Sequence, residues 1–488
     1  MKQPNLKLNY WIVASVLSVP ISEPIFADEA ADIAALKGQI EELDQKVRIL
    51  ERHQELEQES ATNNANALPR ITVGANGFLF ASANTNFAVA IHGVLQMDTR
   101  TFENDDHVPG SSGFLLRRAR PIITGTVYHD FDFNFTPDFG NAAPGATSAT
   151  PTPTIYDAYL DYRYSPGLQF EAGKFKTPIG LEQLQADANL QFNERSLVTD
   201  LVPNRDLGFE LHGDLGGGVV SYAAGVFNGV GDARNTSNYS FQDNREFDGR
   251  LFALPFKNSA QPALKNLGAG LAGGWGQASI TNTLGLPNTT GGTLGGFTTD
   301  GQQQFFAYNP ASQYGLVTAY GTHWRLSPQA SYYYGPFGLL GEYAISDQGV
   351  QTIGTTSRHS ANLENTAWEI SGGWVLTGED ASFNGVTPKH PFDPRNGDWG
   401  AFQVVARYEE LNVDPAAFPY FSNPATSASA AQAWAVGLNW YLNRNIRADV
   451  SFSRTTFTGG GTSVATSAPG SVSSHPEDVF FTRLQLAF

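Results

Sequence analysis

The chain has 488 residues, no cysteine, and 30 Lys and Arg against 47 Asp and Glu, a formal net charge of −17. The acidic balance speaks against a nucleic-acid-binding surface, and the lack of cysteine excludes a disulfide framework or a thiolate metal site. With 12% aromatic residues, 50 glycines and only 16% charged residues, one large β structure is favoured over two or three ordinary soluble domains.

Residues 1–27 read as a secretory signal. Lys2 and Lys7 supply a positive start, Trp11 to Val19 a short apolar stretch, and Ala27 a cleavage position, with Ile25 departing from the small-residue rule. The alternative is a membrane anchor, but the apolar run is far short of the roughly 20 residues that a spanning helix needs. Residues 28–60 are predicted to be a helix. Ile33, Leu36, Ile40, Leu43, Val47 and Leu50 form a heptad seam, with mostly charged and amide residues between, as in a short coiled coil. An amphipathic helix packed on its own domain is the alternative. The polar Asn/Ala tether 61–67, within a linker reaching 86, favours a projecting element.

From Phe87 to Phe488 alternating segments recur. Phe87, Val89, Ile91, Leu95 and Met97 share one face and His92, Gln96, Asp98 and Arg100 the other. Trp434, Val436, Leu438, Trp440 and Leu442 form an apolar stripe, as do Ile446, Ala448, Val450 and Phe452 against Arg447, Asp449, Ser451 and Ser453. A soluble sandwich would also alternate. The connections discriminate better: short ones at 165–167, 216–218, 335–336 and 443–445 alternate with long ones at 138–153, 177–205, 229–244, 412–430 and 458–476. Short turns at one end and long loops at the other mark a transmembrane β-barrel, here an all-β barrel of about 16 antiparallel strands behind the N-terminal coiled-coil helix. One long connection, 377–400, falls on the short-turn side by parity; it is either a turn folded inward or a miscount. The segment 177–205 is the third outer loop and holds two stretches of helical turns, 181–185 and 192–197.

The last strand alternates to its end. Phe480, Leu484, Leu486 and Phe488 share a face with Thr482, backed by Arg483 and Gln485, and the ending resembles the C-terminal strand of bacterial outer-membrane barrels. Further stretches resemble one family, the phosphate-selective porins O and P of Gram-negative outer membranes. They are Leu116-Arg117-Arg118-Ala119-Arg120, Gly173-Lys174-Phe175-Lys176-Thr177-Pro178, Asn193-Glu194-Arg195-Ser196, Leu376-Thr377-Gly378-Glu379, Trp399-Gly400-Ala401-Phe402 and Gly437-Leu438-Asn439-Trp440-Tyr441-Leu442-Asn443. The resemblance implies a trimeric, sixteen-stranded, water-filled channel in the cell outer membrane; in general porins the third loop folds into the lumen and sets the constriction, which places selectivity in 177–205.

Anion preference needs cations lining the narrow part of a pore. The candidate pore and anion-binding residues are Arg117, Arg118, Arg120, Arg163, Lys174, Lys176, Arg195 and Arg205, with Arg100, Arg407, Arg447 and Arg483 also on inward phases. Arg117 and Arg118 cannot both face the lumen in a regular strand, so one lies beyond the lipid band or in a bulge. Against strong anion selectivity stand a barrel net charge of roughly −12 and the acids Glu182, Asp187 and Glu194 in the third loop itself. The reading is passive diffusion of small anions, phosphate among them, and of other small polar solutes. The expected partners are outer-membrane lipid, two further copies of the chain and a periplasmic contact for the coiled coil. No cofactor is expected. The rivals are a non-conducting structural or adhesive barrel and a barrel enzyme. Of the nine histidines, His212, His323 and His390 included, none sits in a recognisable catalytic pattern, and no metal-ligand spacing appears.

Overall fold

The computed structural model describes residues 29–67, 69–103, 112–140, 153–233, 235–236, 245–278, 294–308, 314–353, 357–460 and 475–488. The expected signal, 1–27, and most of the outer loops 138–153, 229–244 and 458–476 lie outside the described residues. Two units are distinct, residues 1–68 and 69–488.

In the first, helix α1 runs Glu29–Ala67, past the expected end at 60. Its surface is laced by i,i+4 pairs, Lys46 with Glu42 at 2.6 Å and Arg48 with Asp44 at 2.8 Å. All six seam residues are exposed, from 46% at Val47 to 66% at Leu50.

The second unit is a closed barrel. The stretch read as a linker holds a hairpin, β1 (Arg70–Gly74) and β2 (Gly77–Ala81). The wall then begins with β3 (Phe87–Glu103), β4 (Gly113–Val127), β5 (Phe131–Asp138) and β6 (Thr154–Ser165). It continues through β7 (Leu168–Lys176), β8 (Arg205–Leu215), β9 (Val220–Phe227), β10 (Glu246–Ala253) and β11 (Leu267–Ala278). A short hairpin, β12 (Phe297–Thr298) and β13 (Gln304–Phe306), interrupts the series. The wall resumes with β14 (Leu316–Tyr334), β15 (Phe337–Ile353), β16 (Ser360–Val375) and β17 (Ala401–Asn412). It ends with β18 (Ala428–Tyr441), β19 (Ile446–Gly459) and β20 (Glu477–Ala487). Each wall strand pairs antiparallel with the next, and β20 pairs with β3, which closes sixteen strands as expected. Closure satisfies strand backbone groups without an edge, which lipid demands. No described helix is long and apolar enough to cross a membrane; the crossing is made by strands.

The burial pattern is that of a soluble protein turned inside out. On β20, Phe480, Leu484 and Leu486 are exposed, while Phe481, Arg483 and Gln485 are buried. On β18, Val436 and Leu438 lie exposed between Trp434 and Trp440. Trp434 packs on Phe452, which packs on Phe480; Trp440 stacks on Phe402. Two aromatic rows about 20 Å apart along the strand thus flank an apolar band, as at the two interfaces of a bilayer. Phe488 exchanges both backbone hydrogen bonds with Gly93, at 3.0 and 3.1 Å. A Cβ on residue 93 would stand 2.9 Å from the Phe488 ring, so a side chain there would push the terminal aromatic aside.

The connection 376–400 is indeed on the short-turn side and folds inward. Ala381 and Val386 are buried with Tyr333, Val375 and Tyr441, and the Phe383 carbonyl accepts from Gln185 Nε2 of the third outer loop at 2.6 Å.

Candidate functional site

The constriction starts from an irregularity in β4. Gln96 pairs with Arg118 and Met97 with Leu116, which leaves Arg117 as the extra residue of a β-bulge. Arg118 and Arg120 share the inner face by period two, and the bulge turns Arg117 inward beside them. All three line one cavity of about 390 Å³, together with Arg195 from the third loop.

That loop, 177–204, crosses the lumen and is held from both sides. Gly180, at φ +87, makes the turn into α2 (Leu181–Leu184); a Cβ there would stand 2.9 Å from Val202 Cγ2. Glu342 of β15 accepts from the N–H groups of Leu181 and Glu182 at 2.8 and 3.1 Å. Glu409 of β17 accepts from the Leu197 N–H at 2.8 Å. The Glu182 carboxylate turns back onto its own loop, accepting from Ser196 N and Oγ at 2.7 and 2.8 Å. A 3-10 turn, Leu197–Leu201, buries Leu197, Val198 and Leu201 against Val350, Leu363 and Leu411 of the wall and Phe297 and Phe306 of the β12–β13 hairpin. An apolar core therefore sits inside the barrel on the β15–β18 side. Burying it, at about 25 cal/mol per Å², ties the loop to that wall.

Toward β3, β4 and β20 the loop is held by charge. Glu194 accepts from Arg100 at 2.6 Å and from Arg117 in a two-point contact at 2.6 and 2.9 Å, with Arg118 and Arg483 each 3.9 Å away. Asp187 pairs with Arg195 at 2.5 Å, Arg118 at 3.3 Å and, closely, Arg120. Arg120 also meets Asp138 at 2.6 Å and Arg483 meets Asp98 at 2.7 Å. Among the described residues the connected network holds six guanidiniums and four carboxylates, a formal excess of two positive charges. Burial alone would raise the Asp187 carboxyl, yet Arg118, Arg195 and Arg120 outweigh it and hold it well below the usual carboxylate range. Glu194 is lowered likewise: burial opposes the shift, and Arg117 and Arg100 overcome it. Asp200, facing the same cavity, is pushed up by burial, although it accepts hydrogen bonds from Thr298.

A second cavity of about 450 Å³ adjoins the first, and Arg120 and Tyr156 border both. The Tyr156 ring is held between two guanidiniums, Arg120 at 3.5 Å and Arg205 at 3.4 Å from its centroid. Arg205 is paired with Asp157 at 2.8 Å, and the Lys176 ammonium donates to the Leu184 and Gln185 carbonyls at 3.2 and 2.8 Å. Of the eight candidates, Arg117, Arg118, Arg120, Lys176, Arg195 and Arg205 are thus brought around two connected cavities. Lys174 is buried on β7 but borders neither. Arg163 lies apart, at the turn end of β6, paired with Asp132 at 2.6 Å and 42% exposed. Arg100 and Arg483 belong to the network, as their inward phase suggested. Arg325, paired with Asp232 at 2.7 Å, was not singled out, although His323, Arg325, Ser327 and Gln329 alternate inward on β14.

Two clusters could carry other chemistry. Ser346, His323 and Asp232 meet, but Asp232 lies 3.4 Å from the same His323 Nε2 that contacts Ser346 Oγ at 3.1 Å. A nucleophile relay needs the acid on the opposite ring nitrogen. On β6, β7 and β8, ligand atoms of Asp161, Glu171 and His212 all lie within 4.8 Å of one another, a set that no sequence spacing announces.

Residues 89–488 match the family described as phosphate-selective porin O and P. A search of curated proteins by sequence finds no match. Among solved structures the chain is similar to the outer membrane channel DcaP of Acinetobacter baumannii, with 10% identity over 84% of this chain and 99% of that one and a TM-score of 0.51. It is also similar to a trimer form of OmpT from Vibrio cholerae (10% identity, 82% and 99% covered, TM-score 0.48). An anion-selective porin from Comamonas acidovorans is a further relative in structure (10% identity, 82% and 100% covered, TM-score 0.47). With a family match over the whole barrel and a closed sixteen-stranded wall, the chain belongs to the phosphate-selective porin O and P family and is a channel-forming porin of the Gram-negative outer membrane.

Proposed function

We propose that the pore passes small anions, inorganic phosphate among them, together with small polar solutes, with a modest preference for anions and no tight solute site. The observation that carries this is the network of six arginines and four carboxylates at the junction of the two cavities. Its excess of positive charge faces the path, and guanidinium forks suit oxyanions by shape as well as charge. The same pairing argues against a tight site, because most guanidiniums already hold a carboxylate. We place the functional unit as a homotrimer, its three α1 helices joined through the exposed seam from Ile33 to Leu50. The selectivity test is the zero-current potential of the purified porin in a planar bilayer across a KCl gradient, followed by phosphate titration. Chloride preference with block only at millimolar phosphate is expected. Cation preference would refute the reading, and block at micromolar phosphate would replace it with a specific uptake site.

A further inference from the structure

Below the arginine junction the lumen wall changes sign. Asp161, Glu171 and Glu210 stand directly opposite one another on β6, β7 and β8, since Asp161 pairs with Glu171 and Glu171 with Glu210 in register. Like charges in directly opposed positions repel. Among the described residues no Lys or Arg forms an ion pair with any of the three. His212, two residues beyond Glu210 and so on the same face, brings its Nε2 to 3.3 Å from Asp161 Oδ1. Ligand atoms of Asp161, Glu171 and His212 lie close enough together to share one ion. A separate observation points the same way. Glu210 is only 9% exposed and its buried Oε2 has no hydrogen-bond partner, yet it borders the same cavity as Glu171 and His212. A buried, unpartnered carboxylate oxygen is costly unless a cation or donor meets it.

We propose that Asp161, Glu171, Glu210 and His212 form a lumenal binding site for a first-row divalent cation. One imidazole and carboxylates on three rigid strands suit Zn²⁺, Mn²⁺ or Fe²⁺ better than Mg²⁺, which takes oxygen ligands in a strict octahedron. The site sits four residues from Asp157 toward the periplasmic turn, roughly 13 Å along β6. A solute leaving the arginine junction therefore passes it. With all three carboxyls ionised and the imidazole neutral, the formal charge of the side chains is −3, and a bound divalent cation brings it to −1. Metal loading therefore shifts the pore toward anions, with the arginine network unchanged.

The probe is Zn²⁺ alone, with Mg²⁺ as control. Titration calorimetry on the folded porin in detergent is expected to give one Zn²⁺ per chain, weakened at least about tenfold by His212→Ala and by Glu171→Gln. In bilayers Zn²⁺ is expected to raise the chloride-to-potassium permeability ratio of the wild type and not of either variant. An unchanged β-sheet circular dichroism spectrum and heat-modifiable gel migration show that each variant is folded. No Zn²⁺ binding by the wild type, equal binding by the wild type and both variants, or a permeability shift that persists in the variants would overturn the proposal. The calorimetric result stands whatever the anion preference of the pore.

Discussion

Arg117 offers the cleanest perturbation of selectivity. It is the bulged residue of β4 and, at 14% side-chain exposure, the most open member of the network, and its one ion-pair partner among the described residues is Glu194, which keeps Arg100 when Arg117 is removed. Arg117→Gln halves the formal excess of positive charge without orphaning a carboxylate. A cavity of about 390 Å³ equals a sphere of roughly 4.5 Å radius, so an ion at its centre passes about 7 Å from the lost charge. At that distance in water the interaction is about 0.6 kcal/mol, and 0.1 M salt screens it to about 0.3 kcal/mol. Because anion and cation change in opposite senses, the chloride-to-potassium permeability ratio should fall about threefold at 0.1 M KCl and by much less at 1 M. The assay is the zero-current potential in planar bilayers, with Arg163→Gln at the turn end of β6 as the control. Equal shifts in the two variants, or none in Arg117→Gln, would refute the placement of the selectivity element.

Other consequences are testable on the same protein. Leu201→Ala, at a fully buried position of the third loop, should cost about 2–5 kcal/mol of packing inside the barrel and raise current noise as the loop leaves the wall; a quiet, wild-type trace would contradict the inner core. Val436→Arg, between the aromatic rows of β18, should lower folding stability in lipid vesicles by about 2–4 kcal/mol; an unchanged urea midpoint would place that face away from lipid. Asp187 and Glu194 have depressed carboxyl pKa values in the folded porin. Their stabilisation is therefore complete above the unfolded value near 4 and is lost only as pH falls through the lower folded ones. The urea midpoint of Asp187→Asn should then differ from the wild type by the same amount at pH 7 and pH 5; a difference that shrinks between the two would contradict the depressed values.

Much of the barrel was legible because strands between lipid and lumen alternate with a period of two and their connections alternate between short and long. The alternation of β18 and β20 gave faces that the exposures of Leu438 and Arg483 bear out. The Arg117-Arg118 adjacency required an irregularity, found as a bulge. Phase, however, tells which face a side chain takes and not which element crosses the lumen at its height. That is why Arg163 has the same inward phase as Asp161 but lies at a turn. Lys174 and Lys176, two residues apart on β7, share one phase, so phase could not separate these two lysines. The acids of the third loop looked like a liability for anion passage. In the fold Glu182 binds both its own loop and Arg407 of β17, and Asp187 and Glu194 likewise bind arginines of the wall. The lumenal hairpin β12–β13 and the cluster of Asp161, Glu171, Glu210 and His212 depend on contacts between distant segments, which no local pattern encodes.

The most direct measurement is a single-channel record of the purified porin in a planar bilayer at 1 M KCl. Discrete, long-lived conductance steps are predicted, because the third loop is fixed to both walls and leaves two joined cavities lined by arginines. Folded protein that inserts and passes no current would contradict a water-filled path through the barrel.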